Sequence, residues 1–332
     1  MIVTKFEEVK KVYEYAAEQG WVIPCLCTEN QTTTEAILAA CHEYHLKTGK
    51  EIPVSIAVTV QYSHRSQAPN YSECHDWKTG LKLFLDDIKA FAGKGGVYED
   101  VTVLIHLDHV QFDLDEELTN SDLSEYSSIM YDASALPLDK NIEATAAFVK
   151  RMKGKILIEG ACDEIVDATG SQHNDLTAPE KAKEYVDKTG VDLVVANLGT
   201  EHRATGKDLM YHGDLARKIK EQIGEKIVLH GTSSVTNEQI KTLFSDGICK
   251  VNIWTALERD SSPVLFENLV KNAEKVAGPK MVDELIKEGY LTEKCREGNK
   301  INIGFFTEKY RNSVTFAKIK EMVTAYLELW YV

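Results

Sequence analysis

Short apolar segments alternate with helical segments along most of this 332-residue chain, and this alternation limits the fold more than any other feature. Eight segments rich in apolar and β-branched residues are predicted to be strands: 21–27, 52–60, 101–106, 127–131, 155–159, 192–196, 226–230 and 247–253. Most of them are followed by a segment with helical periodicity. Strands that alternate with helices form a parallel sheet, and eight of them close into a barrel. We therefore predict an α/β fold, a (β/α)8 TIM barrel.

An open, doubly wound sheet is the alternative architecture. That fold typically carries a glycine-rich dinucleotide fingerprint after its first strand, and this sequence has none there. Beyond residue 253 the sequence predicts only helices, with apolar patterns over 264–276 and 316–330. We predict a catalytic barrel over 1–256 and a helical extension over 257–332. The extension should pack on the barrel or on a second subunit, because its last residues are apolar.

The composition narrows the classes of partner and the compartment. The net charge of −14 argues against binding to nucleic acid or to an anionic membrane surface. The first residues do not form a signal peptide, and no apolar segment approaches the length of a membrane span. Seven dispersed cysteines suit reduced thiols rather than a disulfide framework. We expect a cytoplasmic protein that binds neither nucleic acid nor membranes.

Polar residues stand at the ends of several predicted strands, where a barrel brings them to one face. Asp108 and His109 follow the third strand, His202 lies in the loop after the sixth, and His230 ends the seventh. Three histidines beside a carboxylate are a typical donor set for a catalytic divalent metal, most often zinc. The alternative is that these histidines are structural. The segment 62–70 is polar and is expected to be a mobile loop beside this site.

Small residues follow His230 in the order Gly231, Thr232, Ser233 and Ser234. Gly231 permits close backbone approach, and the amides and hydroxyls of the next three residues could cradle a phosphate. The same turn fits an ordinary strand-to-helix connection with a serine N-cap equally well. The residues of this turn do not by themselves distinguish a phosphate site from an ordinary connection.

Several motifs along the chain are similar to those of a known family. They are HLDH at 106–109, MYDAS at 130–134, LP at 136–137, NI at 141–142, GTEH at 199–202, LHG at 229–231 and GICKVNI at 247–253. In order, spacing and position in the predicted barrel, they resemble the class II (metal-dependent) fructose- and tagatose-bisphosphate aldolases over roughly residues 5–256. The resemblance implies a lyase that reversibly cleaves a ketose phosphate into dihydroxyacetone phosphate and an aldehyde.

The resemblance also assigns roles to particular residues. His109, His202 and His230 would hold Zn²⁺ or another divalent metal, and Asp108 would transfer the proton of the hydroxyl beside the bond that breaks. Asn252 would contact the dihydroxyacetone phosphate half. The remaining implied residues are Gly231, Thr232, Ser233, Ser234 and Thr255 for substrate or phosphate, and Asp132 and Glu159 to support the metal ligands or hold a second metal. A monovalent cation and a homodimer or homotetramer are further expectations.

The sequence departs from the family pattern mainly on the side of the aldehyde. Cys27 replaces an asparagine, Ala161 a glutamate, Trp254 an aspartate, and Glu258 an arginine that grips the distal phosphate in some members. An aromatic residue and a glutamate in those places should repel a second phosphate and reshape the aldehyde pocket. We therefore expect a substrate other than fructose 1,6-bisphosphate. The expected determinants of aldehyde specificity are Thr59, Arg203, Trp254, Glu258 and Arg259.

Two other functions fit the same residues. A metal-dependent hydrolase could use the three histidines and Asp108, but it would need neither the phosphate turn nor Asn252. A sugar-phosphate-binding or regulatory relative that no longer catalyses is the second alternative, and the departures at Cys27 and Ala161 favour it. Exchange of a hydroxymethyl proton of dihydroxyacetone phosphate with solvent would distinguish both from an aldolase.

Overall fold

A computed structural model describes residues 1–163, 176–200, 211–232 and 235–331. Its eight parallel strands close into a barrel in which each strand pairs with the next and the last pairs with the first. The strands are β1 (Ile23–Cys27), β2 (Pro53–Thr59), β3 (Thr102–Gln111), β4 (Ser128–Asp132), β5 (Leu157–Ala161), β6 (Leu193–Val195), β7 (Ile227–Leu229) and β8 (Ile248–Ile253). The predicted (β/α)8 barrel is confirmed.

Helices surround the barrel and continue beyond it. The first nine are α1 (Phe6–Glu18), α2 (Gln31–Thr48), α3 (Gln67–Asn70), α4 (Trp77–Ala92), α5 (Glu116–Thr119), α6 (Leu138–Met152), α7 (Pro179–Thr189), α8 (Gly213–Ile223) and α9 (Asn237–Ile240). The C-terminal helices are α10 (Thr255–Lys271), α11 (Ala273–Ala277), α12 (Pro279–Lys287), α13 (Ile303–Phe306) and α14 (Glu308–Trp330), with a 3₁₀ turn at Glu293–Cys295. No helix in the described part of the chain is long and apolar enough to cross a membrane.

Helix α2 shows how the local sequence sets the ends of an element. The side chain of Asn30 accepts a hydrogen bond from the Thr33 amide at 2.9 Å, which caps the first turn. Gly49 ends the helix with φ at 71°, a left-handed conformation that glycine adopts without strain. Between these ends, Ile37, Leu38 and their neighbours are fully buried against the barrel.

Two elements differ in length from their predictions. β3 was predicted to end at residue 106, but it continues to Gln111 and so contains the candidate site residues. The sequence after the seventh strand predicts a helix over 237–245, but the helix formed there, α9, ends at Ile240. The hydroxyls of Thr242 and Ser245 donate to backbone carbonyls three residues earlier, at 3.0 and 2.7 Å. Such bonds compete with the helical pattern, and the chain turns instead.

The apolar end of the chain packs on the barrel side of α2. Leu327, Trp330 and Tyr331 are buried, and the Tyr331 carbonyl accepts hydrogen bonds from Tyr44 Oη at 2.9 Å and Lys50 Nζ at 2.6 Å. These contacts attach the end of the chain to α2 and to the segment that leads into β2.

Candidate active site

A β-bulge in β3 places two consecutive residues in the same cluster. The pairing of β3 with β4 shifts register between Leu107 and Val110, so Asp108 and His109 together oppose one residue of β4. The backbone of His109 has φ of 47°, which is left-handed and unusual for a residue with a side chain. Neighbouring residues of a regular strand point to opposite faces, and a bulge redirects one of them. The bulge therefore allows both side chains to reach one site.

Asp108, His109 and His230 form a buried cluster that could hold a metal ion. Their potential ligand atoms all lie within 4.8 Å of one another. The structure thus brings together two of the three predicted histidine ligands and the predicted catalytic aspartate. His202, the third predicted ligand, lies outside the described residues. Imidazole and carboxylate donors at this separation suit a divalent transition metal.

Two carboxylates behind the histidines fix their rings. His109 Nδ1 donates to Asp132 Oδ2 at 2.7 Å, and His230 Nε2 donates to Glu159 Oε1 at 3.2 Å. Burial alone would raise the pKa of both carboxyl groups. The hydrogen bond from His109 outweighs this at Asp132, and the Lys250 charge does so at Glu159, so each pKa is lowered to about 2. Carboxylates that orient metal-binding imidazoles occupy this position in many metal sites.

Below the cluster, the barrel interior contains a buried network of charged and polar groups. Lys250 Nζ donates to Glu159 Oε2 at 2.5 Å and to His106 Nε2 at 3.1 Å, and His106 Nδ1 donates to Ser128 Oγ at 2.8 Å. Burial, with the Lys250 charge, lowers the pKa of His106 to about 3, so its ring is neutral. Lys250 had no predicted role, although a lysine within an apolar strand is a signal that the sequence contains.

The carboxylate of Asp108 receives hydrogen bonds on both oxygens. Asn252 Nδ2 donates to Oδ1 at 2.9 Å, and Arg65 Nη2 donates to Oδ2 at 2.7 Å. The Cys27 thiol also donates to Oδ2, with its sulfur at 3.5 Å. Burial opposes ionisation of Asp108, but the nearby His109, His230 and Arg65 outweigh it and hold the pKa well below its usual range. Asp108 is therefore a carboxylate with three protein donors.

Arg65 and Tyr62, in the segment that follows β2, cover the cluster. The Arg65 guanidinium carbon lies 5.0 Å from the centroid of the Trp254 ring, and the Tyr62 ring stacks on His109 with centroids 4.3 Å apart. The predicted position of this segment beside the site is correct. Neither residue was among the predicted site residues, because a polar segment does not indicate which of its side chains point inward.

Thr59 was predicted to contact the aldehyde, but it supports the covering segment instead. It is fully buried and does not line the site cavity. Its hydroxyl donates to the Arg65 carbonyl and accepts from the Gln67 amide at 3.1 Å, while Gln67 Oε1 accepts from the Thr59 amide at 3.0 Å. These bonds tie the backbone around Arg65 to the end of β2.

A cavity of about 500 Å³, including its open mouth, lies over the cluster. Among the predicted site residues, its lining includes Asp108, His109, His230, Gly231, Thr232, Asn252, Trp254 and Thr255. Glu258 and Arg259 do not line it. Glu258 is partly buried, which raises its pKa, and the charge of Glu29 raises it further. The Arg259 guanidinium binds Asp260, with Nε to Oδ1 at 2.6 Å.

The turn after β7 shows part of the predicted phosphate cradle. Gly231 has φ of 68°, a left-handed conformation that favours glycine. The Thr232 hydroxyl donates to the Asn252 carbonyl at 2.7 Å, which ties the turn to the end of β8. Ser233 and Ser234, like Arg203 in the loop after β6, lie outside the described residues.

Comparison with known proteins agrees with this architecture. The solved structures that resemble the chain include the YdjI aldolase from Escherichia coli K12, at 17% sequence identity over 99% of this chain and 97% of that one, with a TM-score of 0.65. Fructose-bisphosphate aldolase from Campylobacter jejuni is 16% identical over 99% of this chain and 95% of that one, with a TM-score of 0.72. A candidate fructose-1,6-bisphosphate aldolase from Coccidioides immitis is 20% identical over 97% of this chain and 95% of that one, with a TM-score of 0.64. These likenesses establish the fold. The profile of the family described as fructose-bisphosphate aldolase class-II matches residues 7–303. The chain therefore belongs to the class II fructose-bisphosphate aldolase family.

Proposed function

We propose that this protein is a metal-dependent aldolase that reversibly cleaves a ketose phosphate into dihydroxyacetone phosphate and an aldehyde. The observation that carries the proposal is the cluster of Asp108 with His109 and His230, buried at the floor of the cavity with its ligand atoms within 4.8 Å. This cluster combines potential metal ligands with a carboxylate that can move a proton. Family membership supports the reaction class.

The donor set fits a divalent metal, and Zn²⁺ is the proposed ion. His109 and His230 would hold it, and His202 would complete the set. Asp132 and Glu159 already orient the two described rings, as expected behind metal ligands. When bound, the cation supplies Lewis acidity that stabilises negative charge on the oxygens of the dihydroxyacetone phosphate half.

Asp108 is the proposed general base for cleavage. It accepts the proton of the hydroxyl next to the bond that breaks, and the O–H electron pair becomes the second bond of the aldehyde carbonyl. The electron pair of the broken C–C bond stays with the dihydroxyacetone phosphate half as an enediolate, which takes a proton from solvent to give dihydroxyacetone phosphate, while Asp108 releases its proton to solvent. In condensation, Asp108 donates a proton to the new hydroxyl. The lowered pKa of Asp108 means that its carboxyl group is ionised before substrate binds, as a general base must be.

The dihydroxyacetone phosphate half is assigned to the β7–β8 side of the cavity. Its phosphate would bind at the turn of Gly231, Thr232, Ser233 and Ser234, where a left-handed glycine permits close approach. Asn252 and Thr255 line the same side and would contact the rest of this half. Asn252 also orients Asp108, at 2.9 Å.

The aldehyde half is proposed to lack a phosphate group. Trp254 lines the cavity where the family pattern has an acid, and the partly buried carboxyl groups of Glu29 and Glu258 interact unfavourably near it. Negative charge at this end would repel a second phosphate. Activity toward fructose 1,6-bisphosphate at the level of typical family members would contradict this part of the proposal.

Proton exchange tests the reaction class. The zinc-loaded protein is incubated with dihydroxyacetone phosphate in deuterated water, and loss of the hydroxymethyl proton signal is followed by NMR. We expect zinc-dependent exchange in the wild type and none in a folded His230→Ala variant. Absence of exchange in the wild type, with zinc bound, would contradict an aldolase and favour a relative that only binds sugar phosphates.

Some expectations from the sequence remain predictions. They are the division into a barrel over 1–256 and an extension over 257–332, the monovalent cation, the homodimer or homotetramer, and the cytoplasmic location. Size-exclusion chromatography with light scattering would measure the oligomeric state. Expression of residues 1–256 alone would show whether the barrel folds without the extension.

A further inference from the structure

Both carboxylate oxygens of the candidate base already accept hydrogen bonds in the structure. Asp108 Oδ1 accepts from Asn252 at 2.9 Å, and Oδ2 accepts from Arg65 at 2.7 Å, with the Cys27 sulfur at 3.5 Å from the same oxygen. A carboxylate that takes a proton from a substrate hydroxyl must accept a hydrogen bond from it first. Oδ2 therefore already has two donors, about as many as its lone pairs accommodate, and a substrate hydroxyl can reach this oxygen only when one of the two gives way.

Arg65 is the donor whose position can change most readily. Cys27 lies on β1 and Asn252 on β8, two strands that pair with each other in the closed barrel. Arg65 lies between β2 and α3, outside the strands and helices. Its backbone carbonyl accepts from Thr59, whereas its long side chain is held by Asp108 and by the face of Trp254. The guanidinium can thus shift while the backbone that carries it stays in place.

We propose that Arg65 is a catalytic residue of the aldolase reaction. The substrate hydroxyl takes the place of the guanidinium at Asp108 Oδ2, and Arg65 then donates to that same oxygen as it becomes the carbonyl oxygen of the aldehyde. Asp108 receives the proton, the O–H electron pair forms the carbonyl bond, and the C–C electron pair leaves with the enediolate of dihydroxyacetone phosphate, which then takes a proton from solvent. The inference rests on the proposed function. It adds to Asp108, which transfers the proton, a second residue that stabilises the oxygen from which the proton is taken.

The chemistry of Arg65 suits this role. A guanidinium has five N–H donors and stays protonated, so it stabilises negative charge on oxygen without competing for the proton that Asp108 transfers. Within the described part of the chain, buried Arg65 Nε and the nearby indole Nε1 of Trp254 have no hydrogen-bond partner. Both are donors only, and a substrate oxygen between them would satisfy groups that are otherwise costly to bury.

The position of Arg65 suggests that it acts in C–C bond formation and cleavage but not in the enolisation of dihydroxyacetone phosphate. It contacts Asp108, Cys27 and Trp254, which are assigned to the proton transfer and the aldehyde, whereas the phosphate turn lies after β7. Enolisation of dihydroxyacetone phosphate does not involve the aldehyde oxygen. Loss of Arg65 should therefore impair bond formation and cleavage while leaving proton exchange intact.

The test compares Arg65→Gln and Arg65→Lys with the exposed control Arg151→Gln. Zinc-loaded proteins condense dihydroxyacetone phosphate with glycolaldehyde, and hydroxymethyl proton exchange is measured on the same samples. For Arg65→Gln we expect a kcat lower by about 100- to 1,000-fold, the usual cost of removing one donor to a developing oxyanion. Exchange and KM for dihydroxyacetone phosphate should stay within about twofold, zinc content and Tm should not change, and Arg65→Lys should recover part of the rate.

Three results would overturn the inference. If Arg65→Gln condensed the two substrates at the wild-type rate, Arg65 would have no catalytic role. If condensation and proton exchange fell by the same factor, the role of Arg65 would be structural. Exchange without condensation in the wild type would also contradict it, since a donor beside Asp108 predicts that a small uncharged aldehyde reacts. Failure of the wild type to exchange at all is a different result, because it overturns the proposed function together with this inference.

Discussion

Lys250 and Glu159 form an ion pair across the interior of the barrel, with 2.5 Å between Nζ and Oε2 and neither side chain exposed. The other oxygen of Glu159 accepts from His230, a proposed metal ligand. The pair therefore connects the closure of the barrel, through β5 and β8, to the orientation of a site residue. Two charges this deeply buried compensate each other, and either one alone would be strongly unfavourable.

We predict that Lys250→Met lowers the free energy of unfolding by about 3–5 kcal/mol, because it leaves the Glu159 carboxylate buried without its partner. The double variant Lys250→Met with Glu159→Leu should lose less, because no charge remains. The control is Lys183→Met, which breaks an exposed pair with Asp187 and should cost under about 1 kcal/mol. Denaturant unfolding of the metal-free proteins measures all three, and a double variant worse than the single one would contradict the prediction.

The barrel could be predicted from the sequence because its strands are buried on both faces and therefore read as apolar segments. The pair of Lys250 with Glu159 could not. Each residue stands out as a charge within its strand, but their contact depends on how β5 and β8 face each other after the barrel closes. Distance along the sequence gives no measure of that geometry.

The candidate site, like the barrel, could be predicted from the sequence only in part. Motif resemblance indicated Asp108, His109 and His230, and the structure brings them together. That Asp108 and His109 share one side of β3 could not be predicted, since a regular strand would separate them. The role of Arg65 could not be predicted either, because the polar segment 62–70 contains several side chains and only the fold determines which one points toward Asp108.

The bulge at His109 leads to a prediction about backbone strain. We expect His109→Gly to be more stable than His109→Ala by about 1 kcal/mol, because alanine is strained at a φ of 47° and glycine is not. Both variants remove the imidazole, so their difference isolates the backbone. Thr102, at the regular start of β3, supplies the control, where glycine should be less stable than alanine. The free energies of unfolding of the metal-free variants measure both differences. If the glycine variant were less stable than the alanine variant at both positions, the left-handed backbone at His109 would be contradicted.

Metal removal should destabilise the protein. A free zinc concentration about 100 times Kd adds about 2.7 kcal/mol to the free energy of unfolding, so a chelator should lower Tm by several degrees. His230→Ala should abolish this zinc-dependent shift. Asp132→Asn should bind zinc about 10- to 100-fold more weakly, because His109 loses the carboxylate that orients it. The control His42→Ala, whose ring binds Asp100 away from the site, should retain the full shift. An undiminished shift in His230→Ala would place the metal elsewhere.

Tyr331, near the end of the chain, packs against the start of β2. Tyr331 is fully buried and its hydroxyl donates to the Pro53 carbonyl at the start of β2, whereas Tyr290 in the same C-terminal part of the chain is 75% exposed. We expect Tyr331→Ala to lower the free energy of unfolding by about 3–5 kcal/mol through lost burial, and Tyr331→Phe to cost about 1 kcal/mol for the hydrogen bond. Tyr290→Ala should stay within about 0.5 kcal/mol of the wild type. Equal effects of the two alanine substitutions in denaturant unfolding would mean that α14 does not hold Tyr331 against the barrel. The predicted difference would instead establish that the extension stabilises the strand whose far end, at Thr59, supports Arg65.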